Sequence, residues 1–150
     1  MDDGSPIPDV TVTIDDTAVS LASLCAPLVV YFYPKDDTTG CTTEAKDFSA
    51  LADSFAAAGV SVVGISKDTP ASHAKFTAKH ALTVLLASDV DGVACEAFGV
   101  WVEKAMYGKK YMGIERATFL FGADGTLAKA WHKVRVPGHA EAVLAAARAL

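Results

Sequence analysis

Cys41 closes the run Tyr31-Phe32-Tyr33-Pro34-Lys35-Asp36-Asp37-Thr38-Thr39-Gly40-Cys41, which reads as a buried strand, a short polar loop and a thiol at a helix start. There, unpaired backbone N–H groups and the positive end of the helix dipole favour the thiolate over the thiol. Cys41, Ala45, Phe48, Ala52 and Phe55 recur as one helical stripe, so the thiol is expected at the floor of an inward-facing pocket. A cysteine on an apolar stripe is ordinarily a packing residue. The order Pro34, Thr38, Cys41 argues for chemistry instead, with Gly40 allowing close backbone approach just before the thiol. Thr38 can set a hydroxyl beside the sulfur or serve only as the N-cap, and the Cys41 N–H faces the same space.

The elements that must hold this thiol follow an α/β pattern, with strand-length apolar runs alternating with segments of helical period. Val10 to Ile14 and Val19 to Leu21 bracket Asp15-Asp16-Thr17 and predict an N-terminal hairpin. Leu28 to Tyr33 is continuously apolar and aromatic, as in a strand covered on both faces, and Pro34 ends it. A helix is expected over 41–58, capped by a left-handed Gly59. Further strands are expected at Val60 to Ser66, Val84 to Ala87, Ala117 to Phe121 and Ala128 to Lys133, and helices over 70–80, 91–98 and 138–149. The crossovers imply a partly parallel central sheet with helices on both faces.

A chain of 150 residues with 51% apolar composition fits one domain, 1–150, with a substantial core. The net charge of −5, without long runs of one sign, offers no basic surface to nucleic acid or anionic lipid. No stretch approaches eighteen uninterrupted apolar residues, and Met1-Asp2-Asp3-Gly4-Ser5-Pro6 lacks the charged and apolar parts of an export signal. Three cysteines, Cys25, Cys41 and Cys95, lack metal-ligand spacing and fit a reducing, cytoplasmic setting. His73, His80, His132 and His139 are scattered, so they are expected at the surface or at helix ends, and neither a metal nor another cofactor is indicated.

Pro34, Thr38 and Cys41 form a Pro-x-x-x-Thr-x-x-Cys signature that resembles the peroxiredoxins, thiol peroxidases of the thioredoxin fold. Tyr31 to Asp36, Gly40 to Ala45, Gly64-Ile65-Ser66, Phe98-Gly99-Val100-Trp101 and Gly113-Ile114-Glu115-Arg116 extend the likeness to the bacterioferritin comigratory protein, or peroxiredoxin Q, subfamily. The resemblance implies a thioredoxin-like α/β fold with a central mixed sheet and an N-terminal hairpin. It also implies reduction of hydrogen peroxide and small organic hydroperoxides by a monomer, with thioredoxin or a similar dithiol protein as reductant. In its terms Cys41 is the peroxidatic cysteine, Thr38 and Arg116 activate it, and Pro34 shapes the pocket. An arginine just before a strand is otherwise a surface charge, and Glu44 otherwise a first-turn acid on the helix dipole. With the resemblance, Glu44 is expected to pair with Arg116 and aim it at the sulfur, and Trp101 to pack near the rim or simply fill core. Converting a reactive thiol wholly to thiolate gains about thirtyfold at neutral pH and gives back about tenfold in intrinsic nucleophilicity. The larger contribution must come from donors that hold the peroxide in line and meet its developing charge.

The pattern is broken in two places. Many subfamily members carry a second, resolving cysteine five residues after the first; here that position is Lys46, and residues 67–80 hold no cysteine either. Cys95 and Cys25 remain, both expected as inert core thiols, so an external thiol is expected to reduce Cys41, with resolution by Cys95 as the alternative. Thr39 stands where relatives often have proline, which should leave the loop less rigid. A disulfide reductase would need Cys-x-x-Cys, whereas Thr42-Thr43-Glu44 follows Cys41. A non-enzymatic redox-sensing or chaperone-like module on the same fold would share the sulfenic acid chemistry without turnover.

Overall fold

In the computed structural model, which describes residues 1–150, the central strand is β3 (Leu28–Phe32), all five of its residues buried. It is flanked by β4 (Ser61–Ser66), parallel to it, and by β8 (Ala117–Phe121), antiparallel to it. Such a strand has no solvent-facing side, which is why its sequence is a continuous apolar run rather than an alternation. Beyond β4 lies β5 (Leu85–Ser88), also parallel, then β1 (Thr11–Ile14) and β2 (Thr17–Ser20); beyond β8 lies β9 (Leu127–Trp131). The seven-stranded mixed sheet runs β2-β1-β5-β4-β3-β8-β9. The N-terminal hairpin forms as expected, with Asp15 and Asp16 both at positive φ, the two-residue turn whose twist matches antiparallel strands.

The helices are α1 (Thr39–Ala50), α2 (Ala52–Ala57), α3 (Pro70–His80), α4 (Val93–Ala97) and α5 (His139–Arg148). The helix expected over 41–58 is therefore two. It starts earlier, at Thr39 with Thr38 as N-cap, and breaks at Leu51, whose N–H is shared between the Asp47 and Phe48 carbonyls at 3.2 Å each. Gly59 takes the left-handed conformation expected of it, φ 74°. The helix over 70–80 and the strand Ala117 to Phe121 form as expected, and the remaining expected elements shift at their ends by one or two residues, where fraying is normal. One element is new: β6 (Trp101–Met106) and β7 (Lys109–Ile114) form a separate two-stranded ribbon turning at Tyr107-Gly108. Its charged and half-exposed residues gave no apolar run to read.

The sheet divides the core in two. One face packs Phe32, Ile65, Phe119 and Phe121 against Cys95 and Phe98 from and after α4. The other packs Val29, Tyr31 and Tyr33 against Cys41, Phe48 and Phe55 of α1 and α2, Phe76 of α3, and Val143 and Leu144 of α5. Tyr31 fits on this face because its register partner is Gly64, where a Cβ would lie 2.5 Å from Tyr31 Cζ. No helix is long and apolar enough to cross a membrane.

Candidate active site

The antiparallel register of β3 and β8 pairs Phe32 with Ala117, so Arg116, one residue earlier, stands at the end of β3 from which the chain runs to α1. That loop, residues 33–38, turns back through Asp37 at φ 60° and delivers Cys41 in the first turn of α1, only 2% exposed. The first helical bond runs from the Thr42 N–H to the Thr38 carbonyl at 2.8 Å, and the Cys41 N–H precedes it with no acceptor.

Arg116 spans two partners with its fork. Its Nη1 donates to Glu44 Oε1 at 2.6 Å and its Nη2 donates to Cys41 Sγ at 3.2 Å. Glu44 and Cys41 lie three residues apart on one helix face, so a single planar guanidinium reaches both. The expected Glu44–Arg116 pair is formed, with Glu44 buried and Arg116 half-buried. Burial works against the Arg116 charge, but Glu44 and Cys41 outweigh it and hold Arg116 above its ordinary range. Glu44 is pushed up to about 7 by burial, with Arg116 pulling the other way. Its second oxygen, Oε2, is buried without a partner, as is the Tyr31 hydroxyl. Gly40 leaves room for the guanidinium: a Cβ there would lie 3.2 Å from Arg116 Nη2.

Thr38 sits at the N-cap, but its hydroxyl donates to the Lys35 carbonyl at 2.8 Å and to neither the helix nor the sulfur. It closes the loop on itself. Pro34 is exposed at the loop's start, where its ring ends β3. Trp101, at the start of β6, is half-buried against the α4-side core, with Lys67 Nζ 4.1 Å from its ring centroid. Lys46 is exposed.

The remaining cysteines are far apart in kind. Cys95 is fully buried in the core on the sheet face opposite Cys41, its thiol pushed well above the ordinary range by burial and by Asp89. Cys25, expected in the core, is exposed; it lies in the loop before β3, the opposite end of the strand from Cys41.

Of the histidines only His73, buried within α3, departs from the expected surface or helix-end placement; His139 begins α5, a helix end as expected. His73 and His139 are buried, whereas His80 ends α3 and His132 lies at the surface. His139 Nε2 lies 2.8 Å from Thr118 Oγ1, and burial and the Arg116 charge push the ring down to about 4, so it is a neutral core residue. His73 joins a buried cluster around Asp36, which the sequence did not mark because each member is ordinary alone. Lys104 of β6 was also unmarked. Its stem lies against Gly113, and burial and Arg116 lower it while the Cys41 charge acts the other way. No three His, Cys, Asp or Glu side chains gather as a metal centre would require. A groove of about 830 Å³ along Pro27, Ala58, Gly122 and Arg148 lies at the far end of the sheet and is lined by none of the candidate site residues.

Residues 4–130 match the model of the AhpC/TSA family. The chain is 53% identical over 122 residues to peroxiredoxin Bcp of Xanthomonas campestris, covering 81% of this chain and 76% of that protein. It is 50% identical over 112 residues to peroxiredoxin Bcp of Bacillus subtilis, covering 75% and 71%. A solved structure of the Xanthomonas campestris bacterioferritin comigratory protein, described for its alkyl peroxide reduction activity, superposes with a TM-score of 0.90 at 45% identity over 99% of this chain and 98% of that one.

Proposed function

This chain belongs to the AhpC/TSA family, and on that premise we propose that Cys41 is the attacking thiolate of a thiol-dependent peroxidase. The protein is a peroxiredoxin of the bacterioferritin comigratory type, with peroxide as substrate and a thiol as reductant. The observation that carries the assignment to Cys41 is the 3.2 Å contact from Arg116 Nη2 to its sulfur, held by the 2.6 Å bond from Nη1 to Glu44.

In the reaction, the Cys41 thiolate attacks the terminal oxygen of a hydroperoxide. An S–O bond forms as the O–O bond breaks, and the departing hydroxide or alkoxide takes up a proton and leaves as water or alcohol. Cys41 remains as sulfenic acid. Arg116 and the free Cys41 N–H meet the charge that develops on the two oxygens, which is where most of the rate gain arises. Thr38, whose hydroxyl donates to the Lys35 carbonyl at 2.8 Å, holds the loop before Cys41 in shape. Pro34 ends β3 and sets the loop's exit.

The cycle runs on one cysteine of this chain. Cys95 is buried across the sheet and Cys25 lies at the other end of β3, so an external dithiol protein such as thioredoxin condenses with the sulfenic acid, releasing water. Its second thiol then displaces the Cys41 thiolate from the mixed disulfide. We take the working form to be a monomer, as the family likeness implies.

Peroxide consumption with thioredoxin and its reductase tests the reading: Cys41→Ser abolishes it, whereas Cys95→Ser and Cys25→Ser retain it. Consumption that persists in Cys41→Ser would overturn the assignment.

A further inference from the structure

The chemistry above leaves unused the most densely bonded buried cluster in the molecule. Asp36 lies between Pro34 and Thr38 and is 8% exposed. Its carboxylate accepts from Tyr33 Oη at 2.6 Å, Ser72 Oγ at 2.8 Å and His73 Nδ1 at 2.7 Å. Its backbone N–H donates to Asp68 Oδ2 at 2.9 Å, and Asp68 is held in turn by Ser66 Oγ at 2.7 Å. His73 reaches further with Nε2, 3.0 Å from the Ala87 carbonyl of β5. A carbonyl and a carboxylate can only accept, so both ring nitrogens carry hydrogen and the ring meets Asp36 as a cation. The next residue, Asp37, binds Lys79 Nζ at 2.7 Å and His80 Nε2 at 2.8 Å at the exposed end of α3.

Both clasps hold one segment, the loop that carries Thr38 and opens α1, and both fasten it to α3. Downstream of Thr38 the only side-chain bond in the first turn, apart from Arg116 to Cys41 and Glu44, is Thr43 Oγ1 to the Thr39 carbonyl at 3.1 Å. The first turn of α1 is therefore lightly held between a fixed loop and the Arg116 fork.

The two half-reactions ask opposite things of that turn. A peroxide is small enough to meet Cys41 in the closed structure, but at 2% exposure the sulfur cannot be approached in line by the thiol of another protein. We propose that the Asp36–His73 pair is a positioning clasp that fixes the loop for peroxide attack and limits how often the first turn of α1 opens to the reducing thiol. This rests on the reading of Cys41 as the reacting thiol. Loosening the clasp then slows oxidation and speeds reduction, a reciprocal effect that general damage does not produce.

The test is rapid-mixing measurement of each half-reaction separately in Asp36→Asn, which keeps side-chain shape while removing the charge. The rate of hydrogen peroxide attack on the reduced protein is expected to fall about tenfold, as small misplacements of reacting groups do. The rate at which reduced thioredoxin consumes preformed Cys41 sulfenic acid is expected to rise by about threefold, as the competent open state becomes more populated. Asp37→Asn, whose partners are the exposed Lys79 and the half-buried His80, keeps the test usable if Asp36→Asn does not fold, and should move both rates the same ways by smaller factors. Both rates falling together, or neither changing, would overturn the clasp. Peroxide attack unaffected by Cys41→Ser would instead overturn the reading beneath it.

Discussion

Two pairs of a buried carboxyl and a cation lie on either side of the first turn of α1, and they are built in opposite ways. At Asp36–His73 each carboxylate oxygen is bonded, and three donors outweigh burial to hold the carboxyl below its ordinary range. At Glu44–Arg116 one oxygen is bonded and the other is left without a partner, and burial wins, pushing the carboxyl up to about 7. The first pair is a joint, with every bond spent inside the protein. The second keeps part of the Arg116 fork for the sulfur and pays for it in an unsatisfied acceptor. Scaffold and reactive site use the same residue types, and the count of satisfied lone pairs separates them.

The comparison breaks most directly at Arg116. Arg116→Gln should lower kcat/KM for peroxide by about 10²–10³-fold, the usual cost of removing a transition-state donor, while thermal unfolding shows the fold retained. If kcat/KM stays within a few-fold, the fork is structural only. On the other side, Asp36→Ala strands the buried His73 charge and should cost about 3 kcal/mol in denaturant unfolding. A loss under 1 kcal/mol would mean that the cluster is not the joint described.

Acidity sharpens the contrast, because the two carboxyls carry opposite signs. Glu44 has a folded-state value raised from 4.5 to about 7, so its contribution is fully present below pH 4.5 and is lost as pH rises towards 7. Asp36 is lowered from 3.8, so its contribution is present above that pH and is lost as pH falls further. Glu44→Gln should therefore flatten the decline in unfolding free energy between pH 4.5 and 7, by about 3 kcal/mol across the window, and leave the acid limb alone. Asp36→Asn should alter the acid limb only. A Glu44→Gln curve parallel to the parent's would remove the claim that burial governs this carboxyl. The smallest effect expected is that of Gly40→Ala, which crowds Arg116 Nη2 at 3.2 Å and should lower peroxide reactivity about threefold, since a flexible fork can give way. Reduction by more than a hundredfold would show the guanidinium to be less adaptable than this.

Much of the sheet and the placement of Cys41 at a helix start were legible in the sequence because each rests on a strong local signal. Leu28 to Phe32 could only be a strand covered on both sides, and Pro34, Thr38 and Cys41 form a spaced motif. The Glu44–Arg116 pair was legible through the family likeness, though not through spacing, since 72 residues separate the two. What escaped was set by tertiary contact. Asp36 and His73 are 37 residues apart and look like a loop acid and a helix histidine until the sheet brings them together. The β6–β7 ribbon escaped because half-exposed strands carry charges on both faces, and the Leu51 break because no Gly or Pro marks it. Cys25 looked like a core thiol beside an apolar run, yet the run begins three residues later and its flank is solvent.

The central claim is that Cys41 alone is oxidised by peroxide and that no cysteine of this chain restores it. Peptide mass spectrometry after one equivalent of hydrogen peroxide, with a sulfenic acid trap present, tests it directly. The account predicts the trapped adduct at Cys41, with Cys25 and Cys95 still reduced. A disulfide joining Cys41 to Cys95 or Cys25 within one chain would contradict it.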